Sequence, residues 1–300
     1  MEFKQQPNVT AKQVIDATRA YKELIRTRRY MQKLGGRMFW KLSGDYVYLA
    51  QCSFFDSRKV HHLGIKSSQT EQSLKEYETE RARLQQREAA LQERISVYER
   101  MNKAVRAGAV SDDVIDTIRL LERVGISEDC LWMGTPAQHA YWQFSGLEVP
   151  KVLGDGEDLG RHIVFVQRRL DAMSLNKLHR CKAFKLDTVR GGQSTLLIIE
   201  PQATSRSSND PKSSEAHRFR RYSKFIHDTV REYIDLIFVE SETHPSFEQV
   251  LISKTGRMGV MRTVAPHLFV AWNMLFGLTT REKDSFEQLL ESGRLVRKGN

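Results

Sequence analysis

The residues best placed to do chemistry are Gly134 and Thr135, at the end of CLWMGT (130–135). There a buried strand runs into a turn and then into a helix over PAQHAYWQF (136–144). A strand that ends in Gly-Thr before a helix brings a small residue, a hydroxyl and free backbone N–H groups to one point. The start of a helix favours anions, so this corner suits a triphosphate. Many strand–turn–helix corners use the same pair for geometry alone. Neither G-x-x-x-x-G-K-[ST] nor G-x-G-x-x-G occurs, which removes the two commonest phosphate loops. His61 and His62 are neighbours on an expected strand, where successive side chains face opposite ways, so they cannot chelate one metal together. The other histidines are scattered, and a metal-hydrolase centre is not expected.

Charge points to the class of partner. Lys and Arg number 47 against 37 Asp and Glu, a net charge of +10. Such an excess concentrates polyanions around the molecule whatever its fold, and it also serves plain solubility. Lys59, Lys66, Arg218, Arg220, Arg221 and Lys224 are the best candidates for phosphate contacts to nucleic acid, and exposed charge is their simplest alternative. Cys52, Cys130 and Cys181 are odd in number and far apart, so neither a disulfide framework nor a zinc knuckle is expected and a cytoplasmic setting is. No apolar run approaches the roughly 20 residues of a membrane-spanning helix, and no membrane partner is expected.

The elements that must carry these residues are legible in part. Residues 10–34 read as a helix, with Thr10 as its cap and Gly35-Gly36 as its end. RMFWKL (37–42) and YVYLAQ (46–51) flank the turn Ser43-Gly44-Asp45 as a hairpin, and KVHHLG (59–64) completes a small meander. Over 69–106, Leu74, Tyr77, Leu84, Leu91, Ile95, Tyr98 and Val105 follow a 3.5-residue repeat. Arg81, Glu88 and Asn102 fill the other seam positions, which disfavours a long homodimeric coiled coil and favours an arm folded against its own chain. The arm is also a possible docking surface for a protein partner. A helix is expected from Ser111 to Glu122, and RHIVFVQRRLDAM (161–173) reads as helical. TLLIIEP (195–201) is a strand, and the Ser-rich stretch 202–216 is a linker or loop. Helices over 222–237, 266–276 and 280–291, with strands near 247–253 and 257–263, finish the chain. The expected fold class is α/β (α+β), a mixed sheet with an amino-terminal hairpin, a long helical arm and a helical carboxy-terminal part. The expected divisions are 1–108 (helix, meander and arm), 109–203 (core) and 204–300 (linker and carboxy-terminal part).

Several blocks, in order, resemble a bacterial family of nucleotidyltransferase-fold proteins of the DNA-polymerase-β type. GGRMFWK…GDYVYL…HHLGIKSSQTE is similar to that family's G-x-M-F-W-K, hairpin and K-S-L-G-x-x-S-x-E-T-E. WMGTPAQHAYWQFSGLEVP is similar to V-G-T-x-A-L-Y-A-Y-E-x-x-A-G-V, and SKTGRMGVMRTVAPHLFVAW to G-x-x-A-R-M-x-T-V-x-P-x-x-F-A. With RHIVF and TLLIIEP between them, the blocks cover residues 20 to 290. The resemblance implies a short mixed sheet with a G-[ST] turn, matched by Gly134 and Thr135, then D-x-D on the next strand and a third Asp beyond it. Those carboxylates hold two Mg²⁺ ions, one activating the attacking hydroxyl and the other steadying the triphosphate.

Here the chain departs from the pattern. In place of T-x-D-I-D-L-L it has the shorter KVLGDGEDLG, where Asp155 and Glu157 are the candidate catalytic and Mg²⁺-binding pair. A solvated turn is the competing reading of these acids, and Asp158 aligns with a residue that is not a metal ligand. The third Asp falls on Leu197, and Glu200 near it belongs on the opposite sheet face. The Lys of F-A-x-x-K falls on Asn273. The expectation is a retired transferase that binds nucleic acid, a nucleotide (NTP) or a protein partner. The alternatives are an active enzyme moving NMP to RNA or to a protein hydroxyl, with Glu200 or Asp187 as third carboxylate, and a structural subunit docking through its arm. The fold's bacterial members often act in toxin–antitoxin or defence settings. Separately, a three-stranded sheet followed by a helix, studded with Lys and Arg, resembles the arm-binding modules of phage integrases, which would lie in a DNA groove.

Overall fold

The computed structural model describes residues 4–150, 162–181, 184–201, 224, 226, 230, 233–273, 280–292 and 295. The chain divides into two compact units, Gln13–Met101 and Met1–Lys12 with Asn102–Asn300.

The first unit is built from α1 (Asn8–Leu34), β1 (Met38–Ser43), β2 (Tyr46–Cys52), β3 (Val60–Ile65) and α2 (Ser68–Ala104), the two helices running past its boundary. Helix α1 starts two residues before Thr10, and that hydroxyl donates to the carbonyl of Val105 at 3.5 Å instead of capping the helix. The three strands form an antiparallel meander in the order β1-β2-β3, with a bulge in the β2–β3 pairing between Leu49 and Ala50. At about 1.5 Å per residue the 37-residue α2 is on the order of 55 Å long.

The 3.5-residue seam of α2 is its buried face: Tyr77, Leu84, Leu91 and Ile95 are buried, whereas most residues between them are exposed. Helix α1 turns Val14, Ala17, Tyr21, Leu24 and Ile25 inward. The helices run antiparallel, because Glu23 pairs with Arg87 and Arg28 with Glu88, both at 2.8 Å, while Tyr77 donates to the carbonyl of Gly36 at 2.5 Å. Each polar seam residue is matched inside the chain. Glu88 accepts from Arg28, Arg81 donates to the Tyr77 hydroxyl, and Asn102 donates to the carbonyl of Gly256 at 3.2 Å.

The second unit is organised on a mixed sheet of β4 (Cys130–Met133), β5 (His162–Val166), β6 (Phe184–Arg190), β7 (Thr195–Pro201), β8 (Phe247–Ile252) and β9 (Met258–Thr263). The strand order is β6-β7-β5-β4-β9-β8, with β4 and β9 parallel and the other neighbours antiparallel. The helices are α3 (Asp112–Val124), α4 (Thr135–Ser145), α5 (Ala172–His179), α6 (Ile234–Thr243), α7 (Pro266–Asn273) and α8 (Thr280–Glu291). The fold is thus mixed α/β, of α+β type. Helix α3 follows its sequence signals, with Ser111 at the N-cap and Gly125 at the C-cap in the left-handed region (φ 83°), its N–H bonded to two carbonyls of the last turn.

One expectation is overturned. RHIVFVQRRLDAM does not form one helix: His162–Val166 is strand β5, and helix begins only at Ala172, capped by the Asp171 carboxylate on the Ser174 N–H at 2.7 Å. All five β5 residues are buried, so the strand reads as an unbroken apolar run and lacks the alternation of a half-exposed strand. Strand β6, unassigned from sequence, is joined to β7 through Gly191-Gly192, where the Gly192 N–H donates to Asp235 at 3.0 Å. Among the described residues, no helix is long and apolar enough to cross a membrane.

Candidate functional site

The corner picked out by sequence is formed as expected: β4 ends at Met133 and α4 starts at Thr135. Gly134 caps the helix with φ 70° and ψ −165°, a region that essentially only glycine occupies. The demand comes from the backbone and not from crowding. A Cβ placed on Gly134 would meet nothing closer than Ile163 Cδ1 at 3.9 Å and Pro136 Cδ at 4.0 Å. Pro136 stands in the first turn, where its missing N–H is harmless, and the Ala137 N–H donates to the carbonyl of Gly134 at 3.1 Å.

Behind the corner, α4 buries polar groups. Gln138 is fully buried, and among the described residues neither of its amide atoms has a hydrogen-bond partner. The buried His139 has no partner for its Nδ1 among the described residues, and burial, helped by the charge of Lys254, pushes its imidazole down to about 4. Tyr141 donates to the carbonyl of Val264 at 2.7 Å. Its ring packs against Phe247, Phe269 and Phe286 with centroids 5.0 Å apart.

The stretch that the resemblance aligns with D-x-D, residues 151–160, lies outside the described residues, and the next described strand after α4 is β5. Its sequence is His162-Ile163-Val164-Phe165-Val166, and none of these is a carboxylate. Register pairs Val164 with Trp132 on one side and with Leu197 on the other, so the Leu197 position of the expected third Asp lies directly across from Val164. Leu197 itself is buried. Ile163 pairs with Ile198, which puts Glu200 on the Ile163 face of the sheet, opposite to Leu197, as the strand period requires. Glu200 is held by Lys185 Nζ at 3.2 Å across the β6–β7 pair. Asp187 lies opposite Ile198 and accepts from the Thr188 N–H at 2.7 Å.

His162 went unnoticed in the sequence. It is 1% exposed, and its Nδ1 lies 2.8 Å from the Thr117 hydroxyl. That hydroxyl also donates to the carbonyl of Asp113 at 2.9 Å. The other ring nitrogen stands 3.6 Å from the Asp113 carboxylate. Burial alone would raise the Asp113 carboxyl, but hydrogen bonds from His162 and Ser111 outweigh it and hold it down at about 2. The trio ties α3 to β5, with His162 and Thr117 buried and the Asp113 carboxylate half-buried at its edge. Its signal was invisible locally because Thr117 and His162 lie 45 positions apart.

Asp155, Glu157 and Asp158 lie outside the described residues, as do Arg218, Arg220 and Arg221. Among the described residues no group of three or more His, Cys, Asp or Glu is gathered for a metal, so those residues do not fit a Mg²⁺ pair by themselves. Lys224 is exposed in the unit that holds the six-stranded sheet. Lys59 and Lys66 are exposed in the other, at the two ends of β3. Lys66 pairs with Glu71 at 3.4 Å and sits 5.7 Å from the Trp40 ring centre. Comparison with family models, with curated proteins and with solved structures gives no significant match to this chain.

Proposed function

We propose that this chain is a nucleotidyltransferase-fold protein with a retired metal site that acts by binding nucleic acid. The observation that carries this reading is β5: among the described residues, the next strand after a well-formed Gly134-Thr135 corner is five buried residues without a carboxylate. Two-metal transfer needs acidic ligands facing an open cleft beside the triphosphate, and an apolar, covered strand cannot supply them. The net charge of +10 favours a polyanion as what is bound.

The test is label transfer from each α-labelled NTP, with Mg²⁺ or Mn²⁺ and total RNA or cell lysate as acceptor. The wild type runs beside an Asp155→Ala/Glu157→Ala double variant. No transfer with any nucleotide is the expected result. Transfer that disappears in the double variant overturns the proposal.

A second reading, an active and divergent transferase, has one observation in its favour. Asp187 and Glu200 share the sheet face of Ile163, the residue nearest the open side of Gly134. In that reading one of these acids would join Asp155 and Glu157 to hold Mg²⁺, and substitution of that acid, Glu200→Gln or Asp187→Asn, would abolish transfer.

A further inference from the structure

The three-stranded sheet presents two unlike faces. On one, Trp40, Leu49 and Gly64 form a row across β1, β2 and β3. Leu49 is 1% exposed, and a Cβ on Gly64 would come within 3.1 Å of Thr70 at the start of α2, so this face is packed. The other face carries the rows Lys41–Tyr48–Ile65, Phe39–Ala50–His62 and Ser43–Tyr46. Its rings form a connected set. Tyr48 and His62 stack with centroids 5.2 Å apart and planes 25° apart, and Tyr46 meets Tyr48 edge-on at 6.4 Å.

This second face is open towards its Tyr46 end, with Phe39 and Tyr48 half-buried and Ala50 buried. Tyr46 is 57% exposed, and His62, Ile65 and Lys41 are exposed as well. Cations frame the rings: Arg37 lies 5.0 Å over the centre of Phe39, and Lys41 stands in the row of Tyr48. Residues 35–67, which carry the sheet, hold five Lys and Arg against two Asp and Glu. A protein-docking face would be expected to show a broad aliphatic area, whereas here Ile65 is the one exposed aliphatic residue in the three rows.

We infer that this outer face binds single-stranded nucleic acid, with bases stacking on Tyr46 and on the Tyr48–His62 pair and phosphates meeting Arg37 and Lys41. The chemistry selects single strands because stacking on protein rings requires unpaired bases. A duplex hides its base faces and offers phosphates and groove edges instead. The inference rests on the nucleic-acid reading above, and it names both the surface and the form of the ligand.

The test uses the full chain and fluorescence anisotropy with labelled U20 RNA, dT20 and a 20-bp DNA duplex as probes. Both single strands should bind more tightly than the duplex, and the better of the two identifies RNA or DNA as the natural source. Tyr46→Ala, on an exposed ring that leaves folding intact, should weaken single-strand binding roughly 5- to 150-fold, the range for removal of one stacking ring. Arg37→Gln/Lys41→Gln should make the slope of log K against log salt shallower by about 1.4, at about 0.7 for each phosphate left without its cation. Arg83→Gln, on an exposed flank of α2, should bind as the wild type does. If the chain binds nucleic acid but prefers the duplex, or is indifferent to Tyr46→Ala and the cation variant, the inference falls and the broader reading stands. If none of the three probes binds, both fall.

Discussion

The two sheets of this molecule solve opposite problems. In the six-stranded sheet the inner strands β4 and β5 are buried on both faces, and their polar neighbours are spent on internal bonds such as that between His162 and Thr117. In the three-stranded sheet one face is packed on helices while the other keeps tyrosine, histidine and lysine in contact with solvent. A sheet covered on both sides can display chemistry only at strand ends, and here the end beside Gly134 faces Ile163. A thin sheet with a partly open face can use the exposed part of that surface. That contrast puts the proposed binding surface on the small sheet and leaves the six-stranded sheet as scaffold.

The sharpest way to break the comparison is to truncate one ring in each sheet. Trp132, buried between β5 and β9, should lose about 3–5 kcal/mol on Trp132→Ala, measured by urea denaturation. Tyr46→Ala should stay within about 0.5 kcal/mol of the wild type. Equal losses would mean that the outer face of the small sheet is packed after all.

Acid comes next. His139 titrates near 4 in the fold against 6.5 in the unfolded chain, so folding favours its neutral form. The stability this gives is complete above about pH 6.5 and is lost as pH falls towards 4, by about 3 kcal/mol in total. Thermal melts of wild type and His139→Phe across that window should diverge, with the variant flatter.

A smaller loss, on the order of 1–3 kcal/mol, is expected for Gly134→Ala, because the added Cβ has space but the backbone angles do not suit it. Tyr77→Phe should cost about 1 kcal/mol through removal of the bond to Gly36, which chemical denaturation would resolve. Parity between Gly134→Ala and wild type would show that the corner relaxes without strain.

What the sequence disclosed follows the range of the interactions involved. Local signals read correctly: the Ser43-Gly44-Asp45 turn, the Ser111 and Gly125 ends of α3, and the seam of α2 down to its three polar positions. Strand β5 misled because its Ile and Val residues are flanked by Arg161 and by Arg168-Arg169, and a five-residue run buried on both faces has no period to display. The β6–β7 hairpin was within reach, since Phe184-Lys185-Leu186-Asp187 alternates and Gly191-Gly192 precedes TLLIIEP. At the candidate site, the Gly134-Thr135 corner was legible because a strand, a glycine and a helix start are adjacent in the chain. The His162–Thr117–Asp113 trio and the pairing of Val164 with Leu197 depend on register between distant strands and helices, and no local pattern encodes that. The stacked Tyr48 and His62 belong to the same class, separated in sequence and brought together by a bulge.

The tip of the first hairpin also offers an engineering handle. A Cβ on Gly44 would meet nothing within 4 Å, and Tyr46 lies two residues further on. Exposed turns of this kind tolerate inserted segments. A short fluorogenic peptide placed after Gly44 would sit at the rim of the ring-bearing face. Its emission would report the arrival of an unlabelled oligonucleotide directly, and so turn this protein into its own binding sensor.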